Sequence, residues 1–273
     1  MKNSRKYLAA PYVIWAIGFI ILPLTFIVYY AMTNRSGEFT WSNVVAMVTN
    51  PIYRKALILS LTVALSTTVI CLLLAYPLAL ILRYLNFSKM SIIMVVVILP
   101  MWMNFVLRVI AWQVILARNG ILNMLLTSIG LSPLEIINTP VAIAIGMIYD
   151  FLPYMILPLY NSVMSIPNEL IEASNDLGAG PVKTFRNVIL PLSAPGIISG
   201  VTMVFIPSMT SFAVADILGG KKTQLLGNVI ERAFLGDMNW NSGSGLALTL
   251  MAFALLGALF TRQDDGKEGS SIW

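Results

Sequence analysis

Residues 165–191 read SIPNELIEASNDLGAGPVKTFRNVILP, a polar stretch set between two long apolar runs of the chain. Pro167 suits the first position of a helix, because its missing N–H would have no partner there. Leu170, Ala173 and Leu177 follow at the three- and four-residue spacing that places side chains on one helix face. The stretch therefore predicts a short amphipathic helix at its beginning.

A break and a second helix are predicted next. Gly178 and Gly180 favour a left-handed stop, and Pro181 can begin a new helix. Phe185 and Val188 lie on the apolar side of that second helix. Two amphipathic helices outside the lipid must bury their apolar faces somewhere, and the sequence leaves two choices, lipid headgroups or the groove of a partner.

The composition around this loop is that of a membrane protein. Hydrophobic residues make up 58% of the 273 residues and charged residues 11%, whereas soluble domains carry about 25% charged residues. The chain has no histidine, and Cys71 is its only cysteine. An intrachain disulfide and histidine-based catalysis or metal binding are thereby excluded, which argues against an intramembrane enzyme.

Apolar runs of about 20 residues, the length that crosses a bilayer as a helix, occur repeatedly along the chain. We expect an all-α protein with a transmembrane domain over 1–261, a loop over 165–187 and a polar cytoplasmic tail over 262–273. The predicted spans are 8–32, 57–82, 91–117, 141–163, 188–215 and 243–261.

Basic residues predict the orientation. Lys2, Arg5 and Lys6 precede the first apolar run, and basic segments favour the cytoplasm. The run that begins at Leu8 is too long for the core of a signal peptide, so an uncleaved anchor is expected. With six spans, both termini and the 165–187 loop lie in the cytoplasm. The net charge of +5 then reflects orientation, and no nucleic-acid partner is expected.

The loop resembles the EAA loop of ABC importer permeases. That pattern is Glu-Ala-Ala, three residues, Gly, nine residues and Ile-x-Leu-Pro, and this chain has Ser and Val where the pattern has its second Ala and its Ile. The corresponding positions are Glu172, Ala173, Ser174, Gly178, Val188, Leu190 and Pro191, of which Ser174 and Val188 are the two departures.

The resemblance implies the six-helix architecture of type I (MetI-like) importers in a bacterial inner membrane. In that family the loop docks into a groove of a cytoplasmic ABC ATPase. Two permease subunits pair above two ATPase copies, and an extracytoplasmic protein delivers the substrate. ATP and Mg²⁺ are bound by the ATPases, so no cofactor is expected on this chain, which also lacks the Gly-x-x-x-x-Gly-Lys-[Ser/Thr] phosphate loop.

Further segments are similar to the B-type permease subunits of spermidine/putrescine importers, namely 99–102, 107–112, 152–160, 194–197 and 215–221. This resemblance implies a polyamine as the substrate. Related subunits serve iron, sulfate or amino acids, and these solutes stay open as alternatives. A secondary transporter is a further alternative, although such a protein would not need the EAA-like loop.

A path for a polyamine should offer carboxylates to its ammonium groups and aromatic faces for cation–π contact. The candidate path residues are Asp150, Asp216, Trp102, Tyr149, Tyr154 and Phe212. Asp150 lies midway along the fourth predicted span, where it either lines the path or pairs with Arg108 of the third. Its aromatic neighbours favour the path.

Overall fold

A computed structural model of the chain describes residues 10–85, 87–220 and 223–262, with side chains described over 11–85, 91–220 and 223–257. These residues are almost entirely helical, and the only extended pairing among them is an isolated bridge between Thr33 and Phe39. The all-α prediction is confirmed.

The helices are numbered in chain order, and several of them contain a π turn. They are α1 (Ala10–Ala16, continued through the π turn Ile17–Ile21 into Leu22–Ala31), α2 (Ser42–Thr49), α3 (Pro51–Arg83), α4 (Phe87–Trp102), α5 (Phe105–Leu116), α6 (Ile121–Ser128), α7 (Pro140–Met164), α8 (Asn168–Asp176), α9 (Pro181–Thr184, the π turn Phe185–Ile189 and Leu190–Leu192), α10 (Ala194–Thr210), α11 (Leu226–Glu231 with the π turn Arg232–Gly236) and α12 (Trp240–Arg262). A separate π turn covers Ala215–Gly219.

The chain divides into two compact units. The first consists of Met1–Leu57 and Asn228–Ala254, and the second of Ile58–Gly227 and Leu255–Trp273. In the first unit, Asn43 and Asn241 both donate to the carbonyl of Thr33, at 2.8 and 2.7 Å. Thr33 lies just after α1, so these amides hold the segment in which the helix ends.

The core of the second unit is the contact between α7 and α10. Two glycines of α10 make it close: a Cβ on Gly196 would lie 2.4 Å from Ser162 Cβ, and one on Gly200 would lie 2.7 Å from Met155 Sδ. Small residues at such positions let helices approach within membranes. The α7–α10 pair is therefore the scaffold on which the rest of this unit is built.

Within the described part of the chain, four stretches are long and apolar enough to cross a membrane, and a fifth is a bent pair. The four stretches are Pro11–Ala31, Pro51–Arg83, Phe105–Ser128 and Pro140–Met164, of which the third joins α5 and α6 through a short turn. The bent pair consists of Pro181–Leu192 and Ala194–Thr210, which meet at 64°.

The structure corrects the third predicted span. The run 91–117 is not one helix, because α4 ends at Trp102 and α5 begins at Phe105. Between them, the side chain of Asn104 accepts hydrogen bonds from the N–H groups of Val106 and Leu107, at 2.9 and 3.3 Å. An asparagine N-cap of this kind starts a new helix.

The fifth predicted span, 188–215, also differs. Its first residues belong to α9, and the chain bends at Ser193, because Pro195 has no N–H with which to continue the helical ladder. The helix then ends at Thr210 rather than at residue 215. The last predicted span lies inside α12, whose 23 residues reach the length needed to cross a bilayer. The count of six spans stays a prediction, and residues 263–273 of the predicted tail lie outside the described residues.

Candidate functional site

The first leg of the 165–191 loop is α8, and its apolar face is open. Glu172 and Ala173 are exposed, and so are Leu170 and Leu177, the latter with 89% of its surface accessible. The apolar face predicted from the spacing of these residues is therefore exposed in this chain.

The turn after α8 requires a glycine at one of the two predicted positions. Gly178 has φ of +77°, and its N–H donates to the carbonyl of Asn175 at 2.9 Å. A Cβ on Gly178 would meet no atom within 4 Å, so the requirement is conformational and not steric. Gly180 has φ of −72°, and the prediction of a left-handed residue there was wrong.

The second leg, α9, is tied to the first by hydroxyl groups. Thr184 is buried, and its Oγ1 lies 3.0 Å from the Oγ of Ser174 and 3.4 Å from the Oδ1 of Asn175. Ser174 is the position at which the loop departs from the Glu-Ala-Ala pattern, and its hydroxyl makes this contact between the legs. Leu190 and Pro191, at the end of α9, are exposed.

Two residues of α3 that the sequence did not single out attach the loop to the helices. Arg83 donates hydrogen bonds to the carbonyl of Ile166 and to the side chain of Asn168, both at 2.7 Å. Tyr76 shares a hydrogen bond with the hydroxyl of Ser193. A basic residue in the last turn of a helix was a usable signal for Arg83, whereas nothing in the sequence pointed to Tyr76.

Asp150 of α7 is paired with Arg108 of α5. The two side chains are 1% and 7% exposed, and Arg108 Nε lies 3.2 Å from Asp150 Oδ1. Arg108 also donates from Nη1 to the carbonyl of Pro100 at 2.9 Å, and its guanidinium lies 5.9 Å from the centre of the Phe105 ring. The arginine thus connects the end of α4, the start of α5 and the middle of α7.

The other predicted path residues lie on three segments. Trp102 ends α4 and is 88% exposed. On α7, Tyr149 packs edge-on against Trp112 with ring centres 5.5 Å apart, and Tyr154 is partly exposed. Phe212 is exposed just after α10, and Asp216 is exposed in the π turn that follows it. Their place along a path stays a prediction.

Asp216 is held in position by the backbone of its turn. The N–H of Asn138 donates to the carbonyl of Leu218 at 2.8 Å, and the side chain of Gln113 donates to the carbonyl of Ile217 at 3.1 Å. Gly220 ends the segment with φ of +58°, a backbone conformation that glycine adopts without cost. The turn therefore presents Asp216 from a fixed loop.

Several apolar helices long enough to cross a bilayer define a multi-pass membrane protein, and its polar loop carries exposed leucines. Residues 72–263 match the family described as "Binding-protein-dependent transport system inner membrane component". The chain belongs to this family and is an inner-membrane transport subunit.

Curated relatives cover most of the chain. The spermidine/putrescine transport system permease protein PotB of Haemophilus influenzae is 37% identical over 249 residues, which are 89% of this chain and 87% of the relative. PotB of Escherichia coli K12 is 36% identical, over 86% of this chain and 88% of its own length. The inner membrane ABC transporter permease YdcU of E. coli K12 is 32% identical over 74% of this chain and 69% of its own.

Solved structures share the fold. A chain of a bacterial ABC transporter that imports the acidic polysaccharide alginate superposes with a TM-score of 0.78, at 17% identity, over 98% of both chains. A chain of a bacterial alginate transporter in complex with its alginate-bound periplasmic protein gives 0.81, at 16% identity, over 96% of this chain and 93% of the other. The helical fold of an ABC importer permease, expected from the sequence, is confirmed, whereas the six-span count and the EAA-type loop stay predictions.

Proposed function

We propose that this chain is a permease subunit of an ABC importer and forms, with a second permease subunit, the translocation path for polyamines of the spermidine/putrescine type. The observation that carries the proposal is the similarity to PotB proteins, at 36–37% identity over nearly nine-tenths of the chain. The loop between α7 and α10 supports the same reading, because its pattern and its exposed leucines suit a docking element.

The energy for transport comes from partners in this proposal. The exposed surface of α8, with Leu170 and Glu172, and Leu177 just after the helix, docks on one of two cytoplasmic ABC ATPases that bind ATP and Mg²⁺. This chain itself holds no ATPase site and no cofactor. An extracytoplasmic binding protein delivers the polyamine, and both termini of the chain lie in the cytoplasm.

The polyamine is received at a carboxylate that is fixed in position. Asp216 suits this role, because it is exposed on a loop whose backbone is held by two neighbouring segments. Asp150 is less suited to receive the polyamine, because its charge is compensated by Arg108. The aromatic groups of Trp102, Tyr154 and Phe212 are partly or largely exposed and offer faces to ammonium groups.

Uptake of radiolabelled spermidine tests the proposal. Cells that lack their own polyamine uptake should gain it when this chain is expressed with its partner permease, ATPase and binding protein, and should lose it when the chain is omitted. Uptake of iron, sulfate or an amino acid in place of spermidine would point to another substrate. Uptake that persists without the ATPase would indicate a secondary transporter and contradict the proposal.

A further inference from the structure

The C-terminal end of α3 contacts both legs of the loop. Tyr76 and Arg83 are seven residues apart, or about two helical turns, so their side chains leave the same face of α3. Ala79 lies between them and is fully buried, so its small side chain lets neighbouring segments approach the helix closely. The loop is therefore attached to α3 at two points that lie about two helical turns apart.

Arg83 binds the first leg. Its guanidinium donates to the carbonyl of Val163, and its Nη2 donates to the carbonyl of Ile166 and to Oδ1 of Asn168, both at 2.7 Å. Val163 lies in the last turn of α7 and Ile166 just after it, at a helix end where a cation is favoured by the helix dipole. Asn168 begins α8, so one side chain joins three helices.

Tyr76 binds the second leg in a buried setting. The hydroxyl of Ser193 donates to the carbonyl of Leu190 at 3.1 Å, and because it has one hydrogen it must accept its other bond from Tyr76. The ring of Phe185 packs edge-on against Tyr76, with centres 5.5 Å apart at 84°. This leg is anchored by packing as well as by hydrogen bonding.

The first leg has no comparable packing. In α8, Leu170 is largely exposed, and the residue before the helix, Pro167, is extended with ψ of 139°. The hydroxyl bond between Ser174 and Thr184 holds the far end of α8 to α9. The near end of α8 follows the buried Ile166, and the polar contacts of Arg83 fix it to the ends of α3 and α7.

We propose that Arg83 is a positioning residue for energy coupling: it joins the near end of α8 to the ends of α3 and α7, so that a movement of the docked loop displaces these helices. The inference rests on the proposed function, in which an ATPase docks on α8. Without Arg83, α8 keeps its fold and its exposed leucines. The ATPase then still binds, but its movement only turns α8 about the extended residues before it and does not displace α3 and α7.

The test uses the complete complex in proteoliposomes and the variant Arg83→Gln. Three quantities are measured: the ATPase subunit that co-purifies, the rate of ATP hydrolysis, and spermidine uptake. We expect co-purification at the wild-type level and spermidine transported per ATP lowered by about tenfold, within the usual range of coupling between distant sites. Arg83→Lys should recover part of the loss, because lysine keeps the charge but not the fork of donors.

Arg54→Gln is the matched control, since Arg54 lies exposed at the opposite end of the same helix and should leave the ratio unchanged. Asn168→Ala removes one of the hydrogen bonds of Arg83. The side chain of Asn168 is exposed, so this variant folds even if Arg83→Gln does not. It should lower the ratio less than Arg83→Gln does. Added to Arg83→Gln it should lower the ratio no further, because both changes remove the same contact.

Three results would overturn the inference. In the first, the wild-type complex transports spermidine, and the ratio of transport to hydrolysis is unchanged in both Arg83→Gln and Asn168→Ala. The proposed function would then stand, but Arg83 would have no role in coupling. A fall in uptake explained wholly by lost ATPase subunit would make Arg83 a folding residue. A wild-type complex that neither retains an ATPase nor moves spermidine would instead refute the proposed function, and the inference with it.

Discussion

Arg108 Nε lies 3.2 Å from Asp150 Oδ1, and the two side chains are 7% and 1% exposed. The pair joins α5 to α7, while Arg108 also holds the carbonyl of Pro100 at the end of α4. A charge buried within a span is costly unless an opposite charge compensates it. The broken α4–α5 segment is thus fixed to α7 through one compensated pair.

Asp150→Asn should lower the amount of the protein in the membrane, because Arg108 would be left buried without a counter-charge, at a cost of about 3–5 kcal/mol. The double variant Asp150→Asn with Arg108→Gln should recover part of that amount. The measurements are abundance by immunoblot and the thermal midpoint in detergent. Spermidine uptake per protein molecule, measured alongside, reports any role of Asp150 in the path.

Asp237→Asn serves as the control for this pair. Asp237 lies 3.8 Å from Arg232 with both side chains largely exposed, and such surface pairs contribute about 0–1 kcal/mol. Equal abundance of the Asp150→Asn and Asp237→Asn variants would show that the buried pair does not hold the fold together.

Gly178→Ala should weaken assembly with the ATPase while membrane insertion is unaffected. The left-handed conformation of Gly178 costs a residue with a Cβ about 1–2 kcal/mol, so the turn after α8 shifts and its exposed leucines are displaced. Gly178→Asn should be milder, because asparagine tolerates this region. Co-purification of the ATPase and spermidine uptake are the measurements.

Gly180→Ala is the matched control for the turn. Gly180 has φ of −72°, and a Cβ there would meet nothing within 4 Å, so the change should be neutral. Normal uptake in Gly178→Trp would contradict the role given to this turn.

Gly196→Ala should destabilise the protein through the α7–α10 contact. The added methyl would lie 2.7 Å from the carbonyl oxygen of Pro158 and 2.4 Å from Ser162 Cβ, and overpacking of this kind costs about 1–3 kcal/mol. The thermal midpoint in detergent should fall. Gly257→Ala is the comparison, because the nearest atom to its Cβ would be at 3.9 Å. Equal thermal midpoints for the two variants would show that α7 and α10 move apart at little cost to accept the added methyl group.

Asp216→Asn should impair spermidine uptake by about tenfold or more while the complex still assembles, since loss of a charge-assisted hydrogen bond to an ammonium group costs about 1.5–3 kcal/mol. The initial rate of uptake at several spermidine concentrations checks this, with Asp237→Asn as the exposed carboxylate control. Identical uptake in Asp216→Asn and the wild type would remove Asp216 from the path.

The loop shows how far sequence reasoning reached and where it stopped. Its two helices and the left-handed Gly178 were predictable, because spacing, proline and glycine act within a few residues. The same reasoning placed a left-handed residue at Gly180, which is extended. The preference of a glycine for such a conformation does not by itself say that the chain adopts it.

The third apolar run shows the limit for the spans. Hydropathy averages over about 20 residues and predicted one helix over 91–117, whereas the short side chain of Asn104 caps a new helix inside the run. Hydropathy also could not show which residue pairs with a charged side chain inside a span. Arg108 and Asp150 lie on different predicted spans, and the sequence left open whether they meet.

By itself, then, the sequence determined that this chain crosses a membrane several times, carries a polar loop of two short helices and lacks histidine chemistry, because composition and local spacing are sufficient for these features. Only the tertiary structure decided that Arg108 compensates Asp150, that Ser174 bonds to Thr184 and that Arg83 and Tyr76 of α3 hold the two legs of the loop. Each of these contacts joins residues from different helices or from the two legs, and its formation depends on how those segments pack in space.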